Sequence, residues 1–468
     1  MCMINRLSIL ISLLFGLIFS SPGFSQIYQN NILLESRFEW LRYNFTNLYA
    51  RHTADSLQIR NNNDQRGYGV DVIGGYRNSA LDYYSVYNDN AHFLFSPYIN
   101  GKFHENVSFK FRFNIENVKD ELVDANKPFW ADDLRNFRGG VEIGAITWKH
   151  DKFQVKFGRD FLFLPVVTNE NLLFSNFNYP YDQLKLEYRN KDVAFSAYYL
   201  RLNSTRENGV IFNRHLNGHR LSINLFGKGY FAINEVILYG GENRNVNFLL
   251  LNPFIGYYVF QKNDRNFESN TLISTELFYQ HHRLFAYVEF LLDDFQIDKE
   301  VSSDLEPNEF GYNIAFGIKN IVPGLHWSFN HTKVANRTFN APDQNYEKYI
   351  YKNYPIGHFS GNNFWELKTS LRYEAKPRLM TDLDFFYREF GDEALYSDFN
   401  KIFLNFSVDQ GYKENFPFGN IRKQTGIVSN TFLTITNHIT GNVRVSYWLK
   451  KAFLKNRFNY SLNLAFHY

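Results

Sequence analysis

Residues 457–468 constrain this chain more than any other stretch. Phe458, Tyr460, Leu462, Leu464, Phe466 and Tyr468 alternate with Arg457, Asn459, Ser461, Asn463, Ala465 and His467. Successive side chains of a strand point to opposite faces, so a strand here has one wholly apolar face and one almost wholly polar face, and it ends on an aromatic residue. The same period of two governs most of the chain from Gly67 onward. It recurs at residues 107–116, 184–189, 221–225, 273–279, 365–373, 379–388, 402–409 and 443–449. Lys, Arg and Glu return again and again on the polar face, which suits a wet interior crossed by ion pairs better than a dry sandwich core.

Composition separates the two architectures that such strands could build. Aromatic residues make up 19% of the chain, with 49 Phe and 32 Tyr, yet the mean hydropathy is −0.38. A membrane barrel uses rings on its lipid face and in girdles at both interfaces, while the other half of each strand faces a polar lumen. A soluble sandwich with so many half-aromatic strands would be left with sticky surfaces. The expected fold class is therefore all-β: a transmembrane antiparallel β-barrel of about 18 strands, since a spanning strand takes about 9–11 residues. Residues 117–139, 164–180, 293–309 and 334–362 read as long loops that lie outside the cell or fold into the pore. No segment approaches the ~20 apolar residues of a membrane-spanning helix. A net charge of +3 is too small to argue for nucleic acid as a partner.

The N-terminus fits export. Arg6 precedes an apolar run from Leu7 to Phe19, and the small residues Gly23 and Ser25 follow. Residues 1–25 are expected to be a signal peptide with Gln26 the first mature residue. The only cysteine, Cys2, lies within it, so the mature chain has no thiol chemistry. In residues 26–66, Leu34, Phe38, Leu41, Phe45 and Leu48 recur at steps of four and three. That spacing predicts a short helical segment, periplasmic or plugging, ahead of a barrel spanning 67–468.

Signals for chemistry are weak. The sequence contains no zinc-protease helix motif, nucleophile turn or Gly-rich phosphate loop, and no catalytic, cofactor or metal site is expected. His281 and His282 are adjacent, and neighbours on a strand face opposite ways. Asp293 and Asp294 follow the run 284–292 and read as a strand end at an interface rather than an acid/base pair. Trp130, beside Asp132 and Asp133, stands outside any strand pattern and is the best candidate to stack on a sugar ring. The remaining tryptophans read as girdle anchors.

Three stretches carry a resemblance. The first is Gly158-Arg159 closing a strand, then Asn171-Leu172-Leu173 and Ser175. The second is Gly240-Gly241, then Asn252-Pro253, then Asp293-Asp294-Phe295. The third is Gly357-His358 and Gly361-Asn362 before a long alternating strand. In order and spacing they resemble the Wzi-type capsule assembly family. The chain departs from that family in its Phe161 to Pro165 segment, where a glycine-rich stretch is usual, and in its abbreviated N-terminal helical part.

The resemblance implies an outer-membrane, lectin-like barrel that binds exported capsular or exopolysaccharide and supports its assembly and attachment at the surface of a Gram-negative cell, without enzyme activity. It implies structural roles for the Gly, Asn and Pro positions, and places Arg159, Asp293 and Asp294 in lumen charge networks. The partners expected are outer-membrane lipid, polysaccharide, and the barrel-assembly machinery through the strand ending at Tyr468. A porin or substrate channel is the alternative, and it predicts an open lumen.

Overall fold

The computed structural model describes residues 67–77, 91–116 and 138–467, apart from short breaks within the last span. The expected signal peptide and N-terminal helix lie outside the described residues. Strands run in the order β1 (Gly67–Arg77), β2 (Ala91–His104), β3 (Val107–Glu116), β4 (Arg138–His150), β5 (Phe153–Asp160), β6 (Tyr181–Arg189), β7 (Val193–Arg201), β8 (Thr205–Glu207), β9 (Val210–Leu225) and β10 (Gly229–Glu242). Helix α1 (Tyr257–Asn263) follows. Then come β11 (Ser269–His281), β12 (Leu284–Asp294), β13 (Glu309–Ile318), β14 (Leu325–Val334), the small hairpin β15 (Ile350–Tyr351) and β16 (Tyr354–Pro355), β17 (Phe364–Lys376), β18 (Leu379–Phe390), β19 (Arg422–Thr436), β20 (Ile439–Lys450) and β21 (Arg457–His467).

Nineteen of these strands share one antiparallel sheet. β8 is a three-residue branch on β9, so eighteen strands carry the wall. Each pairs with the next, and β21 returns to pair with β1, Leu464 opposite Gly74 and Phe466 opposite Val72. Hydrogen bonding thus runs around a ring, which is how a sheet meets a bilayer without a bare edge.

The alternation seen in sequence is realised around the wall. Along β18, Met380, Asp382, Asp384, Phe386, Arg388 and Phe390 are buried on the inside. On the outside stand exposed Ile146, Val288, Ile314, Phe385, Ile427 and Leu464, members of an apolar belt on β4, β12, β13, β18, β19 and β21. Trp148 and Trp365 lie near opposite ends of their strands, as girdle residues do.

All the turns at one end are two to six residues long, whereas the other end carries the long connections 161–180, 243–268, 335–363 and 391–421. Short turns mark the periplasmic end of such barrels and long loops the outer one. His282 occupies a short turn with φ 50° rather than a strand position. Gly158 sits within β5 at φ 117°, where an added Cβ would lie 2.3 Å from the Gly144 carbonyl oxygen. Its role is close approach of two strands, and a turn is not involved.

Residues 402–409 correct the sequence reading. They form a 3-10 turn, Ile402–Asn405, and a further turn after it, within the long 391–421 connection. Asn400 starts that turn by accepting the Ile402 N–H at 3.0 Å, and Phe403 buries while Ile402 and Leu404 stay exposed. Alternating apolar residues say which face would be buried, but they do not supply a partner strand.

A charge on the lipid belt should be costly. Val288→Arg, in mid-strand on β12, should lower the unfolding free energy by about 2–4 kcal/mol in lipid vesicles, as measured by urea titration.

Candidate functional site

Along β6 to β18, the interior of the outer half of the barrel is packed by the described loop residues. The connections 161–180 and 335–363 fold inward and pack an apolar core that includes Leu172, Leu173, Phe174, Phe339, Tyr349 and Ile356 against inward residues of the wall such as Leu216, Val236, Leu272 and Leu291. Tyr349 donates its hydroxyl to the Leu173 carbonyl at 3.1 Å, joining the two loops. A lumen polar throughout was the expectation. It holds on the periplasmic side of this plug, where Arg220 pairs with Glu276 and Asn234 and Arg372 with Asp382, whereas the Arg388–Glu366 pair lies higher, at the level of the plug. Above them the plug meets an apolar set of wall residues interrupted by charged and amide side chains.

Several polar anchors tie this plug to the wall, and three of them involve buried charges on Glu170, Glu289 and Arg214. At the first, Glu170 of the 161–180 loop accepts Lys368 Nζ of β17 at 2.8 Å and His358 Nε2 of the 335–363 loop at 3.0 Å. Its own carbonyl accepts Asn313 Nδ2 of β13 at 2.5 Å. One buried carboxylate therefore binds two loops and the wall. His358 Nδ1 accepts the Ser360 N–H at 3.1 Å, which leaves the proton on Nε2, aimed at Glu170. Burial lowers the His358 imidazole more than the carboxylate raises it, so it stays neutral and Lys368 carries the compensating charge. Burial alone would push the Glu170 carboxyl up. Lys368 and the His358 hydrogen bond outweigh it and hold the group far below the usual carboxylate range.

At the second anchor, Glu289 of β12 accepts the backbone N–H groups of Leu172 and Leu173 at 3.0 and 3.3 Å. At the third, Arg214 of β9 donates to the carbonyls of Tyr346 and Lys348 at 2.7 and 2.6 Å. The outermost connection, 391–421, lies over the plug. Arg337 clasps it through Glu414 at 2.9 Å and the Asn400 carbonyl at 2.7 Å, and Asn363 reaches the carbonyls of Asp392 and Phe418.

The residues singled out in sequence go to different places. Trp130, Asp132, Asp133 and Ser175 lie outside the described residues. Asn171 is buried in the plug between Glu170 and Leu172. Asp293, at the end of β12, accepts the Phe339 N–H at 2.5 Å and so also holds the plug, while Asp294 caps the Phe295 N–H at 2.8 Å. Gly241, at φ 145°, is the penultimate residue of β10. Asn252 and Pro253 belong to the 243–268 connection, where Asn252 Oδ1 accepts the Phe254 N–H at 3.1 Å. Arg159 is a correction. It stands on the outer face of β5, two residues from exposed Phe157, and forks Asp182 of β6 at 2.8 and 2.6 Å. The strand's two faces decide this: the inward charge is its neighbour Asp160, which takes Lys156 at 2.6 Å. Glu170, Lys368 and Glu289 had no local signal in the sequence, because the contacts by which they tie the plug to the wall join residues more than a hundred positions apart.

Glu170→Gln should remove the carboxylate charge 2.8 Å from the buried Lys368 ammonium, which Asp384 at 4.0 Å meets less closely. The expected loss is about 3–5 kcal/mol of unfolding free energy, with partial recovery in Glu170→Gln/Lys368→Met. The pH dependence follows from the sign of the shift. A carboxyl held down in the folded state contributes its stability above its unfolded value of about 4.3 and loses it as pH falls further. The plug should therefore hold through neutral and weakly acidic solution and loosen only below about pH 4, as read by protease access to the 335–363 loop.

No known family's sequence profile matches this chain, and no curated protein sequence does. Solved structures do. Wzi, an outer-membrane protein involved in group 1 capsule assembly in Escherichia coli and described as a carbohydrate-binding β-barrel, is similar with a TM-score of 0.59 at 11% identity, over 89% of this chain and 86% of that one. The outer membrane protein opdK of Pseudomonas aeruginosa gives 0.52 at 11% identity, over 86% and 98%. OccD3 (OpdP) of the same organism gives 0.51 at 8% identity, over 86% and 91%. At such identities the likeness is one of fold, and the fold is that of the outer-membrane β-barrels.

Proposed function

We propose that this chain is a plugged barrel of the Gram-negative outer membrane, of the Wzi capsule-assembly kind. Its loop face binds exported polysaccharide and supports the assembly and attachment of capsule or exopolysaccharide at the cell surface. The observation that carries this reading is the Glu170 cross-tie and the apolar core around it. A channel needs a wet path from end to end. Here two loops and the wall share one desolvated charge, and breaking it costs several kcal/mol. The fold likeness extends both to a carbohydrate-binding barrel and to other outer-membrane proteins, and the plug is what favours the former.

The outer surface offers chemistry for sugars. On the 391–421 connection, Tyr396 and Phe406 are exposed, with Asp398, Lys401 and Asp409 exposed nearby in the chain. Rings stack on the apolar faces of pyranoses, and the charged groups pair with hydroxyls or uronic carboxylates. No bond-making step is part of this reading, and it calls for no cofactor. Entry to the membrane is assigned to the barrel-assembly machinery acting on the strand that ends at Tyr468.

The channel reading is tested by conductance. Reconstituted protein should give no steady current in planar bilayers, while Glu170→Gln should give intermittent opening; steady ohmic conductance from the unaltered protein would reinstate a porin. Surface glycan binding is tested by calorimetry with the purified polysaccharide of the source cell. Tyr396→Ala/Phe406→Ala should weaken it about tenfold, from the apolar area lost. A deletion strain that retains its surface polysaccharide unchanged would sink the proposal.

A further inference from the structure

The 243–268 connection meets the plug at its end, where Glu268 accepts the Tyr346 hydroxyl, but most of it lies elsewhere. It folds down the outside of the barrel as a flap over β7, β9 and β10. The outer faces of these strands carry Asn217, His219 and Glu235 at levels where neighbouring strands show Leu, Ile and Phe. The flap covers them. Asn217 Nδ2 donates to the Leu250 carbonyl at 3.0 Å, Glu235 accepts the Tyr258 N–H at 2.7 Å and pairs with His219 at 3.0 Å, and the His219 ring lies 4.6 Å from that of Tyr257. Ile237 and Tyr239 are wholly buried against Leu250 and Tyr257. In their place the flap turns Phe248 and Phe254 outward, 83% and 88% exposed. The Phe254 ring lies parallel to that of Phe195 on the β7 wall, 6.2 Å away.

At the outer margin of this apolar surface runs a row of charge. Arg159, Asp182, Arg201, His215 and Tyr239 are successive partners in register across β5, β6, β7, β9 and β10, all on the outer face. Asp182 is already held by Arg159. His215 is already engaged, its Nδ1 2.9 Å from the Tyr199 hydroxyl and its Nε2 3.2 Å from the Arg244 carbonyl. Arg201 is exposed and faces His215 in register, and Arg244 on the flap meets the same histidine through its carbonyl, with its Nε on the Gly240 carbonyl at 3.1 Å and its guanidinium 4.8 Å from the Phe267 ring. The row therefore has three guanidinium groups, counting Arg244, and one carboxylate.

We propose that this face is a binding site for a phosphate-bearing, multiply acylated lipid of the outer leaflet. Arg201 and Arg244 take the headgroup phosphate, and the acyl chains lie down the wall over Phe157, Leu186, Phe195 and Phe254. Charge complementarity at the level of the headgroups selects the phosphate, since guanidinium groups fork phosphate oxygens. The apolar strip beneath, continuous with the lipid belt, selects acyl chains over a soluble anion. The inference rests on the membrane placement proposed above and is independent of polysaccharide binding.

The test uses the full mature chain in phosphatidylcholine nanodiscs, with insertion scored first by heat-modifiable gel mobility, so that a failure of membrane placement is seen separately. Lipid A, its dephosphorylated form and inorganic phosphate are then titrated, and bound lipid is counted by native mass spectrometry. The unaltered protein should retain lipid A in preference to the dephosphorylated form. Arg201→Ala/Arg244→Ala should lower that retention about tenfold, and Arg201→Lys should keep most of it. Arg201→Ala alone, at an exposed side chain, guards against misfolding and should give a several-fold loss. Equal retention of the two lipid forms, unchanged retention in the double variant, or displacement of lipid A by equimolar inorganic phosphate would overturn the proposal.

Discussion

Backbone groups facing hydrocarbon have no water to bond, and everything else in this structure follows from meeting that constraint. The ring of strands meets it for the wall, with β1 and β21 sealing each other's edge. Closing the ring creates an interior, and the interior then has to be either wet or packed. Here it is divided. The periplasmic side carries side-chain ion pairs and amides. The outer side is packed by chain that has left the wall and returned, and its returning backbone is in turn bonded to Glu289, Arg214 and Asp293.

The same constraint explains the flap. Asn217, His219 and Glu235 on an outer wall would face lipid, and the 243–268 segment gives them partners while presenting rings to the bilayer. Its own turns are closed locally, as with the Asn252 N–H on the Leu249 carbonyl. Plug and flap are thus two answers to one problem, one inside the ring and one outside it.

How much of this was legible in the sequence depends on range. Where neighbours along the chain decide the outcome, the reading held: residues 365–373 and 379–388 lie in β17 and β18 with the faces their alternation implies, and the terminal strand shows Leu462 and Leu464 on the outside. Where a partner strand had to exist, alternation was not enough, and 402–409 became a capped turn. Arg159 was placed by its charge rather than by its parity along β5, and parity won. Glu170 could not be seen at all. It sits beside Asn171, which the family resemblance had marked, but its meaning comes from Lys368 and His358, and no local pattern announces a pairing at that distance.

That distance has a temporal side. Lys368 and Glu170 are 198 residues apart, and the strand bearing Lys368 takes its place only when β14 and β18 flank it. Contacts of such long range form late, after the loops they close have lost most of their freedom. The ammonium meets its carboxylate only if every strand between them has joined in the correct register, since a slip of one residue would turn Lys368 toward lipid. The cross-tie therefore acts as a check on assembly: a barrel closed in error keeps an unneutralised charge and open loops, and only a correctly counted ring can lock.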